Sequence, residues 1–279
     1  MSDFHEEFTQ LVDRLQKLPA VEALVLGGSR SRGQADSASD YDLYVYCTAI
    51  MEPNQRCLAY TGLFSSLELN NRFWETEDDA VFLECSVAVD IIFRDMAWIH
   101  GCLRQKLVDF QADIGYSSCI VEGVATGKIL FDRTRSFTAL QTTAAQPYPR
   151  ALAESIIRKN QPLLRSSLAS FRAQILKAFE RGDRISVNHR VAAFLASLFD
   201  VIFALNLRLH PGEKRMMDQA IEHCPLVPHE LRPLVDRLLS SAASTDLRRG
   251  GSEAAFAIDN LCDDLDRLLS TADLLPDAI

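Results

Sequence analysis

The spacing of apolar residues divides the chain into two parts. Before residue 146, short apolar runs rich in branched side chains alternate with polar connections, which is typical of β-strands. Beyond it, apolar residues recur at three- and four-residue steps, which indicates amphipathic helices. The sequence therefore predicts an α+β protein, with a sheet-containing domain at 1–145 and a helical bundle at 146–279.

The first part contains both helices and strands. Helices are predicted at 3–18, 53–64, 95–110 and 137–143, and strands at 21–26, 41–47, 66–69, 82–93 and 127–132. We expect the first helix to have Ser2 as its N-cap and to end at Pro19. The acidic run at 74–79 is expected to be a solvated loop.

The second part is predicted to be helical throughout. Its helices are expected at 151–181, 185–209, 213–223, 229–243 and 252–271. Glycines and prolines interrupt the pattern between them, and two prolines at positions 147 and 149 place the domain boundary near residue 145. The apolar stripe from Val191 to Leu205 is expected to be core.

A glycine-rich turn follows the first predicted strand. The strand ends at Gly27 and Gly28, which have no Cβ, so that another group can approach their backbone N–H donors closely. Ser29 adds a hydroxyl donor beside these amides. The combination suits a bound anion such as a phosphate group.

Two carboxylates open the next predicted strand, after a connection of ten residues. Asp40 and Asp42 are one residue apart, and because strand side chains alternate between faces, both are predicted to point the same way. Neighbouring carboxylates repel each other and are costly to desolvate unless a divalent cation lies between them. The pair therefore predicts a Mg²⁺ site, with a solvated strand end as the alternative.

This spacing resembles the signature of the nucleotidyltransferase superfamily, which includes DNA polymerase beta and the aminoglycoside nucleotidyltransferases. Its pattern is an apolar residue, Gly, then Gly or Ser, followed after a gap by two acidic residues that flank an apolar one. The stretches 26–29 (Leu-Gly-Gly-Ser) and 40–42 (Asp-Tyr-Asp) fit it. The resemblance implies a mixed sheet with flanking helices, and two Mg²⁺ ions held by Asp40, Asp42 and a third acidic residue.

Asp90 matches the third acid of that family. It lies in a predicted strand that is otherwise strongly apolar, where an unpaired carboxylate is costly to bury. In the family, this acid lies on a strand antiparallel to that of the acidic pair, helps to hold the catalytic metal and accepts the proton of the attacking hydroxyl. Glu84 shares the predicted face of Asp90 and is a second candidate for the base. A salt bridge to Arg94 or another cation is the alternative.

The nucleotide phosphates are predicted to bind at two places in the sequence. The residues concerned are Gly27, Gly28, Ser29, Arg32 and Lys214. Lys214 and Arg215 come at the beginning of a helix predicted to open at Glu213, where the helix dipole favours an anion. Several bacterial two-domain nucleotidyltransferases have a similar Pro-Gly-Glu-Lys turn, which implies that Lys214 contacts phosphates. Exposed basic residues without a ligand are the alternative.

Composition and charge say more about the possible binding partners than about the fold. The apolar fraction of 48% and the charged fraction of 24% are ordinary for a soluble globular protein. No apolar run approaches the length of a membrane span and the acidic start lacks a signal peptide, so that a cytoplasmic location is expected. Seven scattered cysteines indicate reduced thiols. The net charge of −9 disfavours nucleic acid as a partner, because phosphate contacts need a basic surface.

Together these features predict a Mg²⁺-dependent nucleotidyltransferase. It would transfer a nucleoside monophosphate, most simply AMP from ATP, to a hydroxyl group and release pyrophosphate. The acidic charge and the helical second part resemble kanamycin-type enzymes, which implies a cationic small-molecule acceptor, although a protein side chain stays open as the acceptor.

Two alternatives come from other functional classes. One is a catalytically silent nucleotide-binding or regulatory protein, including a toxin–antitoxin component. The retention of all three acids argues against this alternative. The other is an RNase of the HEPN type, because Arg184 and His189 have the R-x4-H spacing of that motif. The acidic charge and the apolar Ile185 after the arginine disfavour it.

Overall fold

Residues 4–31, 33 and 39–274 are described by the structure, a computed structural model. The predicted α+β class is confirmed. The chain divides into two units, the first consisting of Met1–Arg104 and Gly123–Gln146, and the second of Gln105–Glu122 and Pro147–Ile279. The junction after Gln146 lies beside the boundary expected near residue 145, whereas nothing in the sequence pattern indicated that 105–122 belongs to the second unit.

A mixed sheet of six strands forms the centre of the first unit. Its strands are β1 Val21–Leu26, β2 Tyr41–Cys47, β3 Phe64–Asn71, β4 Thr76–Phe82, β5 Ala88–Asp95 and β6 Lys128–Asp132. They lie in the order β3-β4-β5-β2-β1-β6, and every neighbouring pair is antiparallel except β2 and β5, which are parallel. The parallel pair therefore lies in the middle of the sheet.

Helices cover parts of both faces of this sheet. They are α1 Glu6–Leu15, α2 Gly28–Ser31, α3 Pro53–Arg56 with a 3₁₀ helix Cys57–Tyr60, the first part of α4 Met96–Leu107, the last part of α5 Cys119–Thr126, and α6 Ser136–Ala144. Phe8 of α1 stacks on Tyr41 with ring centroids 4.0 Å apart, and Phe137 of α6 lies 4.7 Å from Tyr46. Because positions 41 and 46 differ in parity along β2, these contacts lie on opposite faces.

The first helix is shorter than its apolar pattern indicates. It begins after the N-cap residue His5, whose side chain makes no capping hydrogen bond, and it ends at Leu15. The predicted cap Ser2 lies outside the described residues. The buried residues of the helix include Phe8, Leu11 and Leu15, which share one apolar cluster with Tyr41 of β2.

The strand predicted around Asp90 is wrong in its first half. A turn at 83–87 separates β4 from β5. The Glu7 carboxylate holds this turn, because it accepts hydrogen bonds from the backbone N–H groups of Glu84 and Cys85, each at 3.0 Å. Glu84 is therefore exposed in a turn and does not share a strand face with Asp90.

The acidic run that we expected to be a solvated loop forms most of β4. Glu77 and Asp78 in this strand are 9% and 0% exposed. Asp78 accepts hydrogen bonds from the Arg56 guanidinium at 2.8 Å and from the Tyr60 hydroxyl at 2.6 Å. A strand can bury this carboxylate because the buried guanidinium compensates its charge.

The described secondary structure of the second unit is entirely helical. Besides parts of α4 and α5, it comprises α7 Arg150–Leu164, α8 Phe171–Arg181, α9 Arg184–Leu205, α10 Met216–His223, α11 Leu231–Ala243 and α12 Leu247–Thr271. The predicted segment 151–181 is two helices, α7 and α8. The second of them begins at a new cap, Ser170, whose hydroxyl accepts a hydrogen bond from the N–H of Ala173 at 3.3 Å.

Helix α9 is the core helix of this unit. Its 22 residues are long and apolar enough to span a membrane by length and composition, contrary to the expectation that no apolar run approaches that length. However, 67% of its most apolar window is buried within the protein. Phe194, Leu198 and Ile202 are among its fully buried residues, which confirms that the apolar stripe is core.

Candidate functional site

Asp42 and Asp90 are neighbours on the two parallel strands at the centre of the sheet. The strands β2 and β5 pair in register, so that Asp42 lies opposite Asp90. Matching positions on adjacent strands point to the same face, and the strands lie about 4.8 Å apart. Both residues are half-buried. The expectation of an antiparallel relation between these strands is wrong, but the two acids still share one face.

Asp40 lies one residue before β2 and outside the ladder between β2 and β5. The Arg30 guanidinium donates hydrogen bonds to the carbonyl oxygens of Ser39 and Asp40, both at 3.0 Å, and lies 4.0 Å over the Tyr41 ring. Arg30 therefore fixes the entry to β2, a role that the sequence did not reveal. Arg32, the predicted phosphate ligand, lies outside the described residues.

The glycine turn lies directly against Asp42. The N–H of Gly27 donates to the carbonyl oxygen of Asp42 at 2.8 Å. Gly28 has a φ of +62°, and a Cβ added to it would lie 1.8 Å from Oδ2 of Asp42. Only glycine fits here, because any side chain would displace that carboxylate and strain the backbone. Ser29 follows in α2 and is half-buried.

Two further acids extend the central pair into a row across the sheet. Asp79 of β4 lies opposite Asp90, and Glu68 of β3 lies opposite Asp79. Asp79 accepts a hydrogen bond from the Asn71 side chain at 2.7 Å. Four carboxylates therefore occupy matching positions on four adjacent strands. This row is not visible in the sequence, because cross-strand register joins residues that are far apart in the chain.

Glu77 is buried on the same face as this row. It is 9% exposed, and among the described residues it has no hydrogen-bond or ion-pair partner. Burial raises the pKa of its carboxyl, and the charges of Asp79 and Asp90 raise it further. This crowding of carboxylates suits a ligand that brings positive charge.

The arginine of β5, Arg94, pairs with a carboxylate outside the acidic row. Arg94 donates two hydrogen bonds to Glu75, at 2.7 and 2.6 Å, and its guanidinium lies 4.3 Å over the Tyr44 ring. Both oxygens of Glu75 are used in this bidentate pair, which fixes the guanidinium firmly. The ion pair that the structure shows for Arg94 is therefore to Glu75.

The described part of the chain holds no ready-made metal site of three or more Asp, Glu, His or Cys side chains. Mg²⁺ does not need such a cage, because proteins usually bind it through one or two carboxylates together with waters and substrate phosphates. The pair of Asp42 and Asp90, with the glycine turn against it, has the donor type and number that suit Mg²⁺ bound together with a nucleotide.

Lys214 belongs to the second unit and lies in an exposed segment before α10. The predicted helix start at Glu213 is wrong, since α10 begins at Met216 and its N-cap, Arg215, has a left-handed φ of 56°. Lys214 and Arg215 therefore precede the helix and do not occupy its first turn. Lys214 therefore does not lie where the helix dipole favours an anion.

A buried polar network in the second unit was not predicted. Asp200 of α9 is 1% exposed and accepts hydrogen bonds from the hydroxyl and the N–H of Ser117, at 2.6 and 3.0 Å. The Asn160 side chain of α7 donates to the same carboxylate at 3.4 Å. Burial raises the pKa of Asp200 from 3.8 to about 6, against the opposing effect of the Ser117 hydrogen bonds.

Asp200 and a second buried group, His210, are expected to give opposite pH dependences. Folded Asp200 binds its proton more tightly than the unfolded chain does, so its contribution to stability is lost as the pH rises from 3.8 to about 6. Burial lowers the pKa of His210 from 6.5 to about 4, so its contribution is lost as the pH falls through that range. Each contribution amounts to about 3 kcal/mol.

Urea unfolding between pH 4 and 6.5 checks this expectation. The wild type gains about 3 kcal/mol in the free energy of unfolding from His210 as the pH rises over this range, and His210→Phe does not. The free energy of unfolding of this variant should therefore fall by about that amount relative to the wild type. Asp200→Asn should gain a similar amount over the same range. Curves that stay parallel to the wild type for both variants would contradict the assignment of these two groups.

The residues behind the RNase alternative are both exposed on α9. Arg184 donates a hydrogen bond to the carbonyl oxygen of Ala243, at the end of α11, at 3.1 Å. This contact gives the arginine a structural role. The described contacts do not join it to His189.

Comparison with known proteins gives a family match and matches to solved structures. A family model described as a domain of unknown function, DUF4037, matches residues 117–216, about a third of the chain. A nucleotidyltransferase-like protein from Exiguobacterium sibiricum 255-15 is 15% identical, with 96% of this chain and 76% of that chain covered and a TM-score of 0.46. No curated protein gives a significant match. The family match contains Ser117, Asp200 and His210, whereas Asp42 and Asp90 lie outside it.

Proposed function

We propose that the protein is a Mg²⁺-dependent nucleotidyltransferase that transfers AMP from ATP to a hydroxyl group and releases pyrophosphate. The observation that carries the proposal is the close approach of Gly28 to the Asp42 carboxylate, with Asp90 in register on the neighbouring strand. A glycine turn that suits an anion and a pair of carboxylates thereby lie together within one unit. A solvated strand end would explain the acids but not the glycine turn packed against them.

The roles of the side chains follow from their chemistry. Asp42 and Asp90 would supply carboxylate oxygens to Mg²⁺, with Asp40 as a third ligand, and Asp90 would accept the proton of the attacking hydroxyl. The backbone N–H groups of Gly28 and Ser29 would bind the terminal phosphates. Bound Mg²⁺ would neutralise charge on the triphosphate and on the leaving pyrophosphate and would favour ionisation of the hydroxyl.

The acceptor is proposed to be a small molecule with positive charge. Asp79 and Glu68 continue the acidic row away from Asp42 and Asp90, and Glu77 is buried beside them without a cationic partner among the described residues. A protonated amine would compensate this charge. A protein side chain that carries a hydroxyl near basic residues would meet the same requirement.

Pyrophosphate release tests the proposal. With ATP, Mg²⁺ and a panel of hydroxylated amines, we expect continuous release that stops when EDTA removes the metal. Binding of a non-hydrolysable ATP analogue should depend on Mg²⁺ in the same way. A protein that binds the analogue but releases no pyrophosphate with any acceptor would support the regulatory alternative, and a protein that binds no analogue would refute the proposal.

A further inference from the structure

The aromatic ring of Tyr44 lies against the glycine turn of the first unit. Tyr44 follows Asp42 by two residues on β2, so both side chains point to the same face of the sheet. A Cβ added to Gly27 would lie 2.5 Å from Cε2 of this ring, and the three atoms nearest to that Cβ all belong to Tyr44. The ring therefore occupies the space that a side chain at position 27 would need.

A fixed cation covers the same ring. The guanidinium of Arg94 lies 4.3 Å from the centroid of the Tyr44 ring. Glu75 accepts two hydrogen bonds from this guanidinium, at 2.7 and 2.6 Å, and the Arg94 side chain is only 13% exposed. Because both oxygens of Glu75 hold the planar guanidinium, its position over the ring is well defined, and the cation attracts the π-electrons of the ring.

The glycine turn connects this stack to the proposed metal ligand Asp42. The N–H of Gly27 donates to the carbonyl oxygen of Asp42 at 2.8 Å. At the next residue, a Cβ added to Gly28 would lie 1.8 Å from the Asp42 carboxylate. The turn is thus enclosed between an aromatic ring and a carboxylate, with no space for a side chain towards either. A ring that moved away would allow the turn to shift relative to the carboxylate.

Packing in the main apolar core does not account for Tyr44. The apolar cluster of the first unit contains Tyr41, whose side chain points to the opposite face of β2, but it does not contain Tyr44. Tyr44 is half-buried, and its ring is in contact with a glycine and a guanidinium. This position favours a role in holding the turn.

We infer that Tyr44 is a positioning residue that fixes the glycine turn against Asp42 before the nucleotide binds, and that the ion pair of Arg94 holds its ring in place. The inference rests on the proposed function, which assigns the terminal phosphates of ATP to this turn. A turn that is already ordered does not have to be ordered by the ligand, so binding costs less conformational entropy. Loss of the ring should therefore weaken ATP binding and leave the rate at saturating ATP almost unchanged.

Three substitutions separate the ring, its hydroxyl and the ion pair. We expect KM for ATP to rise about tenfold in Tyr44→Ala and about threefold in Glu75→Gln, as suits the loss and the weakening of a cation–π contact. Tyr44→Phe keeps the ring and should have a KM within about twofold of the wild type. In all three variants kcat should change by less than about twofold, because no group of the proposed chemistry is removed.

Glu75→Gln keeps the test valid if Tyr44→Ala folds poorly, because the Glu75 side chain is 36% exposed and the amide has the same size. Its matched control is Glu6→Gln, which removes the charge of an exposed acid on α1 and should leave KM unchanged. A wild-type KM in Tyr44→Ala, or an equal rise in Tyr44→Phe and Tyr44→Ala, would overturn the inference.

A double-mutant cycle tests the contact between the ring and the turn directly. Gly27→Ala adds a methyl group that would meet the Tyr44 ring, so it should lower Tm when the ring is present. In the Tyr44→Ala background the same substitution should lower Tm less, because the methyl group then has space. Equal decreases in both backgrounds would show that ring and turn do not restrict each other, and would refute the inference.

Amide hydrogen exchange separates this inference from the proposed function. The N–H of Gly27 should exchange faster in Tyr44→Ala and Glu75→Gln than in the wild type, and at about the wild-type rate in Tyr44→Phe. Unchanged exchange in Tyr44→Ala would refute the positioning role, whether or not the protein binds ATP. If exchange is faster in Tyr44→Ala but the wild type binds no ATP analogue with Mg²⁺, the proposed function fails and the positioning of the turn stands.

Discussion

The Asp42→Asn variant is expected to keep its fold and to lose about a thousandfold in the rate of pyrophosphate release. The amide has the size of the carboxylate, but it lacks the charge that in the proposed mechanism would hold Mg²⁺ and offset charge in the transition state. A thousandfold loss corresponds to about 4 kcal/mol of transition-state stabilisation, a reasonable contribution for a ligand of a catalytic metal. Asp90→Asn should lose as much, because the two residues are in-register partners on β2 and β5.

Asp79→Asn is the matched control for these two variants. Asp79 is the in-register neighbour of Asp90 on the other side, belongs to the same acidic row and accepts a hydrogen bond from Asn71. If only the pair at the glycine turn holds the metal, this control should change the maximal rate at saturating acceptor by less than about threefold, whereas the KM for a cationic acceptor should rise because Asp79 belongs to the proposed acceptor site. A thousandfold loss in the control would show that the row acts as a whole, and full activity of Asp42→Asn would exclude the metal role.

Thermal unfolding of the same variants supplies the second readout. Each substitution removes one charge from a face on which carboxylates are crowded, so we expect stability to stay the same or to rise slightly. A large loss of stability in Asp42→Asn would mean that the carboxylate has a structural role. The loss of activity could then not be assigned to the metal.

Asp78→Ala is expected to lower the free energy of unfolding by about 3–5 kcal/mol, because it leaves a buried cation without its partner. Asp78 and Arg56 are both 0% exposed. The carboxylate accepts hydrogen bonds from Arg56 at 2.8 Å, from the Tyr60 hydroxyl at 2.6 Å and from the N–H of Asn70 at 2.6 Å. Nε of Arg56 lies 2.7 Å from Oδ2 of Asp78 and forms an ion pair with it, but this contact does not have the geometry of a hydrogen bond. All of these donors lose their acceptor together.

Urea unfolding at pH 7 measures this loss. Asp79→Ala is the control, since it removes a carboxylate from the next position of the same strand, on the opposite face and with partial exposure. It should cost less than about 1 kcal/mol, as expected for a half-exposed polar residue. A loss below about 1 kcal/mol in Asp78→Ala would contradict the importance of the buried ion pair.

The sequence predicts those parts of the candidate site whose residues lie close together in the chain. Gly27, Gly28 and Asp42 are separated by one short connection, and the apolar runs on either side of it place the strands that bring them together. Asp90 is recognisable because it is an acid in the middle of a strongly apolar run. For these residues, periodicity within a short window is sufficient.

Long-range pairing explains most of what the sequence did not reveal. Glu77 and Asp78 lie in a run whose composition is typical of a loop, and only the pairing of β4 with β5 and the buried Arg56 make it a strand. The turn that contains Glu84 depends on a carboxylate at position 7, more than seventy residues earlier. Neither interaction leaves a periodic pattern in the local sequence.

The left-handed conformation of Arg215 explains why the helix after the Pro-Gly turn begins later than the sequence pattern predicts. Charged residues such as Glu213 are good helix formers, so the pattern gave no reason to delay the start. The aromatic surroundings of His210 and the hydrogen bond that its backbone N–H donates to Ser118 were likewise invisible, because Tyr116 and Ser118 lie in another segment of the chain.

The interleaved order of the two units has a consequence for synthesis on the ribosome. Ser117 leaves the ribosome before its buried partner Asp200, which is 83 positions further along the chain. At roughly 5–20 residues per second, Asp200 is made roughly 4–17 s later. During that interval the segment Gln105–Glu122 cannot reach its native environment, although the strands before it are already complete. A nascent chain of this protein therefore carries the segment Gln105–Glu122 without its buried partners until the later helices of the second unit have been made.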